Sequence, residues 1–170
     1  MGLNNVLIQV FRFIILLAVQ ILVMSNIKLF GYSSPFIYII FILGFPLNTN
    51  KNLLIFLGFL LGLSMDIYSN TGGVHAGACV LIAYLRPTLL KISFGVSFEH
   101  NNIKLTQAEL KQQIVYLVSM VFIHHLTLFA LENFSIKLFL QTLESTFVTS
   151  ILSSILIYCI IIIFSRIPNR

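Results

Sequence analysis

Long apolar runs recur along this chain with almost no charge to interrupt them, and this limits its fold more than any other feature. Ten basic and five acidic side chains leave only 9% of the residues charged, while 58% are hydrophobic. A soluble domain carries about 25% charged residues, and no water-facing surface can be built from so few. In hydrocarbon every backbone N–H and C=O must be satisfied within the protein, which leaves helices or closed barrels. Runs of this length predict an all-α, polytopic membrane protein with one integral domain over residues 1–170.

Six transmembrane helices are expected, at about 6–24, 34–47, 53–68, 74–92, 113–131 and 143–164. The first is read as a retained span, since it exceeds the apolar core of a signal peptide. A crossing helix needs about 20 apolar residues, so the second and third are short and open to kinking or partial re-entry. Ser33, Ser34 and Pro35 read as a helix start for the second. Pro87 is expected to break the fourth near its end. The polar stretch 93–112 carries a capping-box pattern, Thr106 to Glu109, ahead of the fifth.

The basic residues set the orientation. With the N-terminus inside, Arg12, Lys51, Arg86, Lys91, Lys104, Lys111, Arg166 and Arg170 lie on the cytoplasmic side, and only Lys28 and Lys137 outside. Both termini are therefore expected in the cytoplasm, with the turn 70–75 outside. The scattered positive charge forms no stripe and implies no nucleic-acid partner. Cys79 and Cys159 lie in apolar runs, far from any metal or redox spacing, and read as packing residues.

The sole aspartate, Asp66, ends the third run. A carboxylate there needs a partner, a proton or water. Gly58, Gly62 and Asp66 fall four residues apart on one helix face, a small-residue seam that admits a second backbone. His75 follows just across a glycine-rich turn, Gly72-Gly73. His124 and His125 match Asp66 in depth, although adjacent helical residues point about 100° apart. Glu132, Glu144, Thr146, Thr149, Ser150 and Ser153 also fall in the outer half. Depth alone predicts an outer polar pocket from these residues. The alternatives are an interfacial histidine and a serine–threonine face that bonds its own preceding turn. No metal site is expected, because the histidines lack ligand spacing. Arg86, before Pro87, reads as an anchor that snorkels or bonds terminal carbonyls. Arg12 is placed to snorkel as well.

The hairpin of the third and fourth spans resembles the bacterial rod-shape-determining MreD family. The residues that carry this are Gly62-Leu63-Ser64-Met65-Asp66, then Gly73-Val74-His75-Ala76, then Ala83-Tyr84-Leu85-Arg86-Pro87. Pro35-Phe36 departs from the Pro-Asp that often opens that family's second span. The resemblance implies a scaffold without cofactor or catalysis, in the bacterial inner membrane, within the machinery of cell elongation and lateral peptidoglycan synthesis. It implies an MreC-like single-span partner and, through it, a RodA-type polymerase, a penicillin-binding transpeptidase and MreB filaments. Contact with membrane lipid is implied too, and self-association is left open. Gly58, Gly62, Asp66, His75 and Arg86 would serve helix packing or partner binding.

The family's fold is similar to the substrate-binding subunits of energy-coupling-factor vitamin transporters, which makes such a subunit the main alternative. Its docking helix would carry an Ala-x-x-x-Ala pattern, and residues 14–20 have none. An intramembrane enzyme is a third class, but neither Gly-x-Ser-x-Gly nor His-Glu-x-x-His occurs.

Overall fold

The computed structural model describes residues 3–27, 34–47, 49–95 and 108–165. Six α-helices are present there: α1 (Leu3–Leu22), α2 (Ile40–Leu43), α3 (Lys51–Ser69), α4 (Val74–Phe94), α5 (Leu110–Asn133) and α6 (Phe139–Ser165). Five are long and apolar enough to cross a membrane; α2, with four residues, is not. The expected capping box lies partly outside the described residues. Helix α5 begins at Leu110, just after Glu109.

Helices α3 to α6 pack in sequence, each against the next. The hairpin of α3 and α4 closes tightest. A Cβ on Gly62 would lie 2.5 Å from the Ala76 Cα and the His75 carbonyl oxygen, so the two backbones touch there. At Gly58 the nearest atoms are the Cys79 carbonyl oxygen at 3.3 Å and the Ala83 Cβ at 3.4 Å. The glycine seam therefore faces α4, not a partner, and narrows toward the turn. Asn50 caps α3 by accepting from Asn52 N–H at 2.9 Å. Asn70 ends it in the left-handed region, at φ 55°. Gly73, at φ 96°, reverses the chain where a side chain would be strained.

The second predicted span differs from expectation. Residues 34–37 are not helical, and one short turn of helix follows. Yet Phe36 to Leu43 and Phe45 are all buried, and Tyr38, Ile39 and Ile42 are fully enclosed. The segment threads the middle of the bundle, with Gln20 of α1 beside its start and Arg86 of α4 beside its end. Two effects explain the missing helix. Four isoleucines and three aromatic residues between 36 and 42 disfavour it locally. Side chains from other helices also offer the freed backbone groups partners, without which no irregular chain survives at membrane depth.

Helix α4 runs through Pro87 to Phe94 instead of breaking there. Transmembrane helices tolerate proline when neighbours cover the freed carbonyl. Helix α1 is the peripheral member: 6% of its apolar window is buried, against 44% for α4 and for α5.

Candidate functional site

Gln20, His75, Arg86, His124, His125 and Ser153, all buried, converge on segment 35–45, of which only Ile40–Leu43 is helical. At the end that carries the turn between α3 and α4, Gln20 does what a neighbouring strand would do. Its Nε2 donates to the Pro35 carbonyl at 3.2 Å, and its Oε1 accepts from Ile37 N–H at 2.8 Å. Phe36 N–H donates to Ser153 Oγ of α6 at 3.0 Å. Two residues further on, the Tyr38 hydroxyl sits between His75 Nδ1 at 2.9 Å and His124 Nε2 at 3.0 Å. Cys79 Sγ lies 3.9 Å from the same His124 nitrogen, a weak contact.

His125 also reaches this segment. Its Nδ1 lies 2.7 Å from the Val121 carbonyl, and its Nε2 lies 3.2 Å from Ser153 Oγ. A carbonyl only accepts, so Nδ1 carries the proton and Nε2 accepts from the serine. The adjacent histidines, whose divergent directions argue against a shared site, bracket residues 36 and 38 of the segment that leads into α2. Their rings lie 5.3 Å apart, and the Phe36 ring is 5.5 Å from His125 and 5.4 Å from His75.

Asp66 is 5% exposed and belongs to the helix ends rather than to the imidazoles. Its carboxylate accepts from Thr71 Oγ1 at 2.7 Å, from His75 N–H at 3.0 Å and from Ala76 N–H at 2.9 Å. Gly73, the residue before α4, has no side chain to cap it. Asp66 of the preceding helix supplies the missing acceptor to the orphan amides of α4's first turn. The positive end of the helix dipole favours its charge. Asp66 thus ties α3 to α4, and its His75 contact runs through the backbone.

At the far end, Arg86 is 4% exposed and turns inward rather than snorkelling. Its Nε donates to the Tyr116 hydroxyl at 3.1 Å, and its Nη2 donates to the carbonyls of Leu43, at 3.3 Å, and Phe45. Tyr116 donates to the Leu43 carbonyl as well, at 3.3 Å. The Leu43 carbonyl ends the short helix α2 and the Phe45 carbonyl lies just past it, and neither has a following turn to accept from. Arg12 reaches the next one, Gly44, at 3.3 Å.

The structure brings together some of the residues grouped by depth. His75, His124, His125 and Ser153 meet around residues 36–38, with Asp66 one backbone step away. Glu132 and Glu144 are exposed, whereas His75, His124, His125 and Ser153 are buried. They match the others in depth, but depth does not set the direction a side chain faces. Thr146 is buried and bonds the Thr142 carbonyl of its own helix at 2.7 Å. Thr149 and Ser150 are buried, and their hydroxyls have no hydrogen-bond partner among the described residues. Sequence reasoning missed Tyr38, Gln20 and Tyr116. Gln20 left a signal, as an amide inside an apolar run; Tyr38 left none. Among the described residues no group of three or more His, Cys, Asp or Glu is placed to hold a metal.

Fold and site define a helical, multi-pass membrane protein with a buried, side-chain-clamped segment that is helical for one short turn only. Comparison with protein-family models, with curated proteins and with solved structures returns no match.

Proposed function

We propose that the chain is a non-catalytic scaffold of the MreD type, in the bacterial inner membrane with both termini cytoplasmic, and that it binds an MreC-like single-span protein. One observation carries the reading. The residues that bear the resemblance form a packed unit, in which Asp66 caps α4 and Gly62 lies against Ala76. A general base needs a lone pair aimed at substrate; Asp66 spends its carboxylate on two backbone amides and a threonine of its own hairpin. Arg86 is likewise spent on backbone carbonyls. Polar groups used in this way hold a shape, which is what a scaffold has to offer. The outward pocket of a vitamin-binding subunit would also compete for space with Phe36 and Tyr38, which are buried among the histidines.

An affinity pull-down from membranes in mild detergent, with partners identified by mass spectrometry, tests this. A single-span protein with a large domain outside the membrane is expected, together with components of peptidoglycan synthesis. Recovery of a tightly held vitamin, or of an ATPase module with its coupling subunit, would overturn it in favour of a transporter.

A further inference from the structure

The hydrogen bonds of Tyr38 contain a choice that those of His125 do not. A phenol has one proton to donate, and two imidazole nitrogens face it, His75 Nδ1 and His124 Nε2. One imidazole must therefore donate to Tyr38 and the other accept from it. In one arrangement His124 donates through Nε2–H, Tyr38 donates to His75 Nδ1, and His124 Nδ1 is bare. In the other, His75 donates through Nδ1–H, Tyr38 donates to His124 Nε2, and His124 Nδ1 carries the proton. His125 has no such freedom, because the Val121 carbonyl fixes its tautomer.

Both arrangements leave His124 Nδ1 in need of a partner. His124 is fully buried, and this nitrogen has none among the described residues. Two more buried hydroxyls share the condition. Thr149 Oγ1 and Ser150 Oγ lie on the face of α6 that also carries Ser153, which bonds His125, the neighbour of His124. A buried polar atom without a partner costs on the order of 1–3 kcal/mol. A buried water molecule relieves such a cost when other polar groups can hold it too. Helix carbonyls, each with a second lone pair, are suited to that.

We propose that water is held on His124 Nδ1 inside the bundle, and that this water, His124, Tyr38 and His75 form a single proton-exchanging chain. The chemistry balances without breaking a heavy-atom bond. Water gives a proton to His124 Nδ1 and regains one from solvent, Nε2 gives its proton up toward Tyr38, the phenol passes its own to His75 Nδ1, and His75 gives one from Nε2 to solvent water, so one proton enters the chain for each that leaves. Both hydrogen bonds of Tyr38 reverse direction, and the charge of every side chain is restored. Asp66 holds the His75 backbone, and so the position of that ring.

Magic-angle-spinning NMR of the full-length protein, histidine-labelled with ¹⁵N in lipid bilayers, tests this directly. Magnetisation transfer from water to His124 Nδ1 is expected, with both tautomers populated at His75 and His124 and one tautomer at His125. Tyr38→Phe should collapse the mixture to one tautomer at each of His75 and His124, while the water signal at His124 persists. A wild-type spectrum with no water transfer at His124 Nδ1, or with one fixed tautomer at both rings, would overturn the proposal. The wild-type measurement decides the matter even if Tyr38→Phe fails to fold.

Discussion

Asp66 and Arg86 sit at opposite ends of the hairpin of α3 and α4, both nearly enclosed, and among the described residues neither is held by a side chain of opposite charge. Each is met by backbone instead. Asp66 takes amides from the start of α4, and Arg86 gives protons to carbonyls at the end of α2. Helix ends are where amides and carbonyls lack partners. A buried ion pair would have to recover the desolvation of two charges. A charge set against a helix end relieves orphan groups that were costly already. The two ends differ in what is secured. The Asp66 end fastens two regular helices to each other, whereas the Arg86 end fastens a helix to a segment that is irregular.

That difference orders the expected effects of mutation. Gly62→Leu should cost most, about 3 kcal/mol or more, because even a Cβ there meets α4 backbone at 2.5 Å. Little folded protein should survive gel filtration in mild detergent; Gly58→Ala, with 3.3 Å available, should survive. A normal yield of Gly62→Leu would mean the seam is looser than the structure has it. Arg86→Met comes next, at roughly 2–4 kcal/mol, since the Leu43 and Phe45 carbonyls lose a donor in a dry interior. The loss should appear as a lower midpoint in thermal unfolding and as protease access within residues 35–45. Asp66→Ala should cost about 1–2 kcal/mol, the range for a lost helix cap. Asp66→Asn should recover part of it, because the amide oxygen still accepts. If Asp66→Ala proves more damaging than Arg86→Met, the irregular segment is not the demanding element this comparison makes it.

How far these regions could be read beforehand differs in the same way. The α3–α4 hairpin was legible because its signals are local: glycines four apart, a glycine turn and an aspartate at the helix end. The membrane class was legible because apolar runs say directly which solvent surrounds them. The segment 34–47 was not legible. Its composition suits a short span, and the decision against helix is made by Gln20, Ser153 and Arg86, which are 15, 117 and 41 residues from their partners in it. Depth matching named His75, His124, His125 and Ser153, which meet around residues 36–38, together with Glu132 and Glu144, which are exposed. It fixes height along a helix and leaves the azimuth free.

The smallest expected effects separate necessary clamps from incidental ones. Ser153 stands alone where it acts: it accepts the Phe36 N–H at 3.0 Å and is 3.2 Å from His125 Nε2. Ser153→Ala strands a donor and an acceptor in the bundle's interior, at about 1–2 kcal/mol. Arg12 acts at the edge, through one long bond of 3.3 Å to the Gly44 carbonyl from a half-buried position. Its guanidinium also covers Gly44, where a Cβ would meet Nη2 at 2.8 Å. Arg12→Met keeps an apolar stem over that glycine, so it should stay within roughly 0.5 kcal/mol of wild type, the range for a substitution away from buried networks. Thermal unfolding of both variants in the same detergent checks the order. An Arg12→Met midpoint below that of Ser153→Ala would show that the far end depends on both arginines, and that Arg86 does not hold the irregular segment alone.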